Sequence, residues 1–162
     1  MTVALPPEER SLLMGGPLAA AMAVMAVDMG LVSSAMEAMA LGRELAGAAS
    51  RHGSSPLITA LFDPEALKEG LHPQKLTITP EDVRDGKVLD RALEEVDSAV
   101  ALARAKDEGS VQAYCQLIVE GCEAVAAAAG SGLFGTGERV SAAEKAALER
   151  IRAHLGVHAA TA

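Results

Sequence analysis

Between Val111 and Ala129 the apolar residues fall at Val111, Tyr114, Leu117, Ile118, Cys122, Val125 and Ala129. This is the i, i+3, i+4, i+7 spacing of a helix with one buried stripe. Val119, Ala124 and Ala126 widen the stripe, leaving Gln112, Gln116, Glu120 and Glu123 as its main polar positions. A helix this apolar must be touched on several sides, so it belongs at the centre of a bundle. A glycine-rich stretch from Gly130 to Val140 separates it from a second helix, which opens on Ser141-Ala142-Ala143-Glu144. That is a capping box: the Ser hydroxyl accepts from the N3 amide, and the Glu carboxylate accepts from the N-cap amide. Ala147, Leu148, Ile151 and Leu155 give the second helix its own apolar stripe.

Half of the residues are apolar but only 2% are aromatic, namely Phe62, Tyr114 and Phe134. Ala, Leu, Val and Met must therefore fill the core, which suits closely packed helices better than a sandwich of sheets. Strand-like alternation is confined to Lys75 to Thr79. The expected fold is all-α, a compact irregular bundle of about five substantial helices. The 162 residues form a single domain, 1–162. A chain of this length buries roughly 70% of its unfolded surface without disulfides or metal.

In chain order, Pro6-Pro7-Glu8-Glu9 reads as a helix entry, with acids placed against the macrodipole. Gly15-Gly16 is expected to stop that helix and Pro17 to open the next, which Gly30 closes. Ser34-Ala35-Met36-Glu37 is a second capping box, starting a helix that runs to Ala49 or Ser50. A short apolar segment spans Pro56 to Phe62, and Asp63-Pro64-Glu65 caps a further turn or two ending at Gly70. Residues 71–79 are the least regular and are expected to cross the bundle. Thr79-Pro80-Glu81-Asp82 begins another helix. The stripe Leu89, Ala92, Leu93, Val96, Ala99, Val100 and Ala103 then marks a long amphipathic helix from about Lys87 to Lys106. The tail after Leu155 is expected to fray.

The net charge is −8 and no run of Lys or Arg is present. The electrostatic footprint of a nucleic-acid-binding protein is missing, so no nucleic-acid partner is expected. From Ser11 to Met36 Asp28 is the only charged residue, as a membrane span would require. Yet Gly15, Gly16, Pro17 and Gly30 interrupt this run, and Glu8 and Glu9 precede it. A buried helix followed by a turn is expected, with no membrane insertion. Cys115 and Cys122 lie two helical turns apart, roughly 10 Å along the axis. That is too far for a disulfide between them. Both read as small buried hydrophobes in a reducing, cytoplasmic setting.

The two capping boxes share the pattern S-x-x-E-x-x-x-L-x-R, at Ser34 to Arg43 and at Ser141 to Arg150. Each follows an alanine-rich apolar helix and a glycine-containing turn. A duplication of this kind implies two helix–turn–helix units packed about a pseudo-twofold axis. If the two turns meet across that axis, Asp28, Glu37 and Glu144 converge as hard oxygen ligands for a divalent metal ion, with Glu120 and Glu123 as further candidates. The alternative is that Glu37 and Glu144 are capping acids and the others face water.

The segments AVMAVDMGLVSSAMEAM and AGSGLFGTGERVSAAEKAALERIRAHL resemble the tellurite-resistance TerB-type domain. That resemblance implies an all-helical fold, acidic residues associated with metal binding, and a stress-associated or interaction role. Two departures are plain: Met29 separates Asp28 from Gly30, and Gly135-Thr136-Gly137 stands where the family's Asp would be.

Other chemistry is weaker. Gly130-Ser131-Gly132-Leu133-Phe134-Gly135 has the letters of a dinucleotide fingerprint but follows a helix, where that motif needs a strand. Met22, Met25, Met29, Met36 and Met39 offer thioethers to a soft ion, but at helical spacing they read as core filler. His154 and His158 are four apart with Gly156 between them, and His52 and His72 have no visible partner. No nucleophile signature is present, so no catalytic residue is assigned. Three functional readings follow: a TerB-like interaction or stress module with an acidic metal site, a small-molecule-binding or enzymatic bundle with a pocket near Tyr114 and Cys115, and a structural homo-oligomer.

Overall fold

The computed structural model describes residues 3–27, 34–68, 73–130 and 140–158, with the backbone alone at 34–40, 48–49 and 129–130. The helices are α1 (Pro7–Ala26), α2 (Ser34–Arg51), α3 (Pro56–Leu61), α4 (Pro64–Lys68), α5 (Pro80–Arg84), α6 (Val88–Lys106), α7 (Val111–Gly130) and α8 (Ala142–Leu155). A short 3₁₀ turn, Glu108–Ser110, links α6 to α7. Among the described residues there is no strand, and the fold is an all-α bundle built on the five long helices α1, α2, α6, α7 and α8.

One expectation fails at once. Gly15-Gly16-Pro17 does not divide the first helical region: α1 runs unbroken for 20 residues and carries Pro17 in its interior. The three residues serve close packing instead. A Cβ on Gly15 would lie 3.0 Å from the Cβ and carbonyl oxygen of Gln74, and one on Gly16 would lie 2.9 Å from the Cβ of Ala99. The glycines therefore mark where a crossing segment and α6 press against the helix, and tertiary contact outweighs their poor helix propensity.

With Leu13, Ala20, Ala21, Ala23 and Val24 fully enclosed, α1 is as central as α7. Its principal partner is α6, which presents Ala92, Val96, Ala99 and Ala103, all 0% exposed. Small residues on both sides let the two axes approach closely. α7 packs against α1 and brings Tyr114, Leu117, Ile118, Cys122 and Val125 into the same core. α2 lies on α7, where Leu41 and Leu45 meet Gly121, while α8 packs on both α7 and α1. α2 thus covers α7, whereas α8 lies against its own unit's α7 as much as against α1.

The caps fall largely where the sequence puts them. Ser141 and Glu144 form both bonds of the box: Ser141 N donates to Glu144 Oε2 at 2.8 Å, and Glu144 N donates to Ser141 Oγ at 3.1 Å. Asp63 Oδ1 accepts from the amides of Glu65 and Ala66. Thr79 and Asp82 make a further full box at α5. The Thr79 amide, then its hydroxyl and the Arg91 guanidinium, hold the Asp82 carboxyl below the usual carboxylate range. Residues 73–79 form no helix or strand, and Gln74 touches both α1 and α6, its side-chain amide donating to Glu95 at 2.9 Å. Gln74 N donates to Ser11 O at 2.9 Å and Leu76 is buried beside it in the chain. At the far end Gly156, with φ 66, closes α8, and Val157 N turns back to Arg152 O at 3.0 Å. Gly156 therefore gives α8 a defined stop, and residues 159–162 of the tail lie outside the described residues.

Candidate functional site

Pro17 has no amide hydrogen, so the carbonyl of Leu13, four residues earlier, loses its helical donor. Tyr114 supplies the replacement: its hydroxyl donates to Leu13 O at 2.5 Å. The ring is 0% exposed, and burial pushes the phenol far above its ordinary pKa. Tyr114 is therefore occupied in the core and is withdrawn from any surface chemistry.

The next residue lies beside open space. A cleft of about 520 Å³ runs between the start of α7 and the end of α8. The Cys115 thiol, the amides of Gln112 and Gln116, Glu108, Leu155 and His158 line it. Because the turn at Gly156 ends α8, His158 reaches this cleft while His154 pairs with Asp97 on α6 at 2.6 Å. The two histidines thus act in different places. Burial pushes the Cys115 thiol up, with Arg104 opposing it weakly, and Cys122 is pushed up to about 12. Both cysteines are free and buried, as expected from their spacing. At neutral pH they are thiols, not thiolate nucleophiles.

The carboxylates of α7 are committed to ion pairs. Glu120 receives Arg51 at 2.9 Å and lies 3.3 Å from His52, so it ties the end of α2 to α7. Glu44 completes this group through Arg51, and Glu123 pairs with Arg152 of α8. His52 and Glu120 are 68 residues apart in the chain, so no local pattern reveals their pairing.

The proposed acidic ligands are only partly in view. Asp28 lies outside the described residues, and Glu37 falls within α2 with its side chain outside them. Glu144 is 5% exposed and spends one carboxylate oxygen on the Ser141 amide. Among the described residues no group of three His, Cys, Asp or Glu side chains is arranged to hold a metal ion. Met25 packs against the core as filler, whereas Met29 and the side chains of Met36 and Met39 lie outside the described residues. So do Ser131 to Gly135 of the dinucleotide-like stretch, and His72. No helix among the described residues is long and apolar enough to cross a membrane. No family model, curated protein or solved structure matches the chain.

Proposed function

We propose that this chain is a helical binding module that takes a small, neutral or cationic molecule in the cleft at Cys115. The observation that supports the reading is the lining of that cleft, where two amides, an imidazole and a protonated thiol stand beside apolar Leu155. A volume of about 520 Å³ falls within the range of small-molecule sites. Among the described residues of the lining Glu108 is the one acid, and it is paired with Arg104 at 3.4 Å. The thiol contributes surface and a weak donor, and binding is its role.

The test is a ligand-observed NMR screen of a fragment library, repeated on Gln116→Trp, which fills the cleft from a half-buried position on α7. Fragments bound by the parent protein are expected to lose their signal in the variant. Hits that bind Gln116→Trp equally well would place the ligand elsewhere and end the proposal.

A second reading, the TerB-like metal or stress module, draws support from the S-x-x-E-x-x-x-L-x-R pattern that Ser34 to Arg43 shares with Ser141 to Arg150. On this reading Asp28, Glu37 and Glu144 hold a divalent ion between the two units. A ligand at a hundred times its dissociation constant adds roughly 2.7 kcal/mol to stability. Ca²⁺, Mg²⁺, Mn²⁺ or Zn²⁺ should then raise the Tm of EDTA-treated protein by roughly 5–10 °C. The shift must disappear in Glu37→Ala. An unchanged Tm with all four ions would leave Glu144 as a helix cap and nothing more.

A further inference from the structure

A second cleft, about 360 Å³, opens between the start of α1 and the turn that leads into α3. Arg10, Ser54, Pro56, Thr59, Ala60 and Asp63 line it. Arg10 is half-buried, and its Nε is enclosed without a hydrogen-bond partner. Among the described residues the guanidinium's one hydrogen bond is a long one, from Nη2 to Ala60 O at 3.4 Å. The neighbouring acid, Glu9, turns away to Lys106 at 2.5 Å. Among the described residues no carboxylate forms an ion pair with Arg10, although the chain carries 22 acids against 14 Lys and Arg. A part-buried guanidinium normally finds a counter-charge, because leaving it unpaired costs solvation without return.

Asp63 lines the same cleft and does not pair with Arg10 either. Its Oδ1 caps α4 through the amides of Glu65 and Ala66, and the residue is exposed. One cleft therefore holds a cation and an anion that do not neutralise each other, with hydroxyls of Ser54 and Thr59 and an apolar wall from Pro56 and Ala60.

We infer that this cleft binds a zwitterionic α-amino acid, its carboxylate on Arg10 and its ammonium on Asp63. A simple dianion such as phosphate is disfavoured by the Asp63 charge, and a simple amine by Arg10. The apolar wall receives the side chain, and the volume leaves room for a small or medium one. The site is separate from the cleft at Cys115 and stands or falls independently of it.

The experiment is isothermal titration calorimetry of the full chain with the proteinogenic amino acids, their N-acetyl derivatives, their methyl esters, acetate and inorganic phosphate. At least one free amino acid is expected to saturate at about 1 mM or below, while its N-acetyl and ester forms bind roughly tenfold more weakly, each having lost one charge-assisted contact. Arg10→Gln should weaken the free amino acid by a similar factor. Should that variant misfold, Asp63→Asn provides the second test, since asparagine caps a helix as aspartate does. In Asp63→Asn the free amino acid should lose its advantage over the N-acetyl form. The proposal is overturned if no amino acid saturates by about 10 mM. It is equally overturned if free and N-acetyl forms bind the parent protein alike, or if Asp63→Asn leaves their ratio unchanged.

Discussion

Replacing Tyr114 with Phe is expected to cost about 1–3 kcal/mol, the penalty for leaving a buried carbonyl without a donor. The ring stays and its packing is unchanged, so the loss isolates the bond to Leu13 O. The cause lies in Pro17, and this gives the prediction a second, sharper form. In a Pro17→Ala background the new amide at position 17 can donate to Leu13 O as in any helix. Tyr114→Phe should then cost less, with a coupling of roughly 1 kcal/mol between the two sites in a double-mutant cycle. Urea unfolding of the four proteins measures it, and the entropic effect of removing a proline cancels within the cycle. Additivity to within about 0.3–0.5 kcal/mol would show that Tyr114 does not compensate for Pro17. Tyr114→Ala, which removes the whole enclosed side chain, should cost about 3–5 kcal/mol.

The second large effect is at Gly16. Alanine is the better helix former by about 1 kcal/mol, so propensity alone predicts a gain. The added Cβ, however, would stand 2.8 Å from the Tyr114 hydroxyl and 2.9 Å from the Ala99 Cβ. Neither neighbour yields easily, since Tyr114 is fully enclosed and the Ala99 Cβ is fixed to the α6 backbone. Overpacking of this kind costs about 1–3 kcal/mol, and more where backbone must move, so we expect a net loss of about 1–3 kcal/mol. Gly42 on α2 supplies the control, because a Cβ there would meet nothing within 4 Å among the described residues. Gly42→Ala should stabilise by about 0.5–1 kcal/mol. Opposite signs for the two substitutions in thermal unfolding would show that contact decides the outcome at Gly16. A gain at both positions would mean that α1 and α6 are less tightly engaged than the geometry states.

These two predictions meet at one place, the passage of α1 through Gly15-Gly16-Pro17. The crossing segment rests on Gly15, Tyr114 and α6 press on Gly16, and Pro17 frees the carbonyl that anchors Tyr114. Removing any one of the three changes how α1 sits between α6 and α7. For function, the same arrangement takes Tyr114 out of reach and leaves Cys115, beside Gln112 and Gln116, to meet a cleft.

The all-α class, the capping box at Ser141, the helix start at Thr79, and the buried faces of α6, α7 and α8 could be read from the sequence because each depends on spacings of three or four residues. Local rules gave the wrong answer at Gly15-Gly16-Pro17, where helix breakers sit inside a helix. Propensity there amounts to about 1 kcal/mol for a glycine, and contacts from residues 74, 99 and 114 exceed it. The candidate sites were less legible still. Cys115 was singled out, but its partners Leu155 and His158 come from another helix and the turn beyond it. Arg10 carried no signal at all, since a lone arginine becomes notable only when the structure shows what fails to pair with it. Periodicity therefore determined which residues are helical and which faces are buried, because those follow from bonds between near neighbours. Only tertiary structure decided which helices meet, which breakers are tolerated and where clefts remain, because those depend on groups brought together from distant parts of the chain.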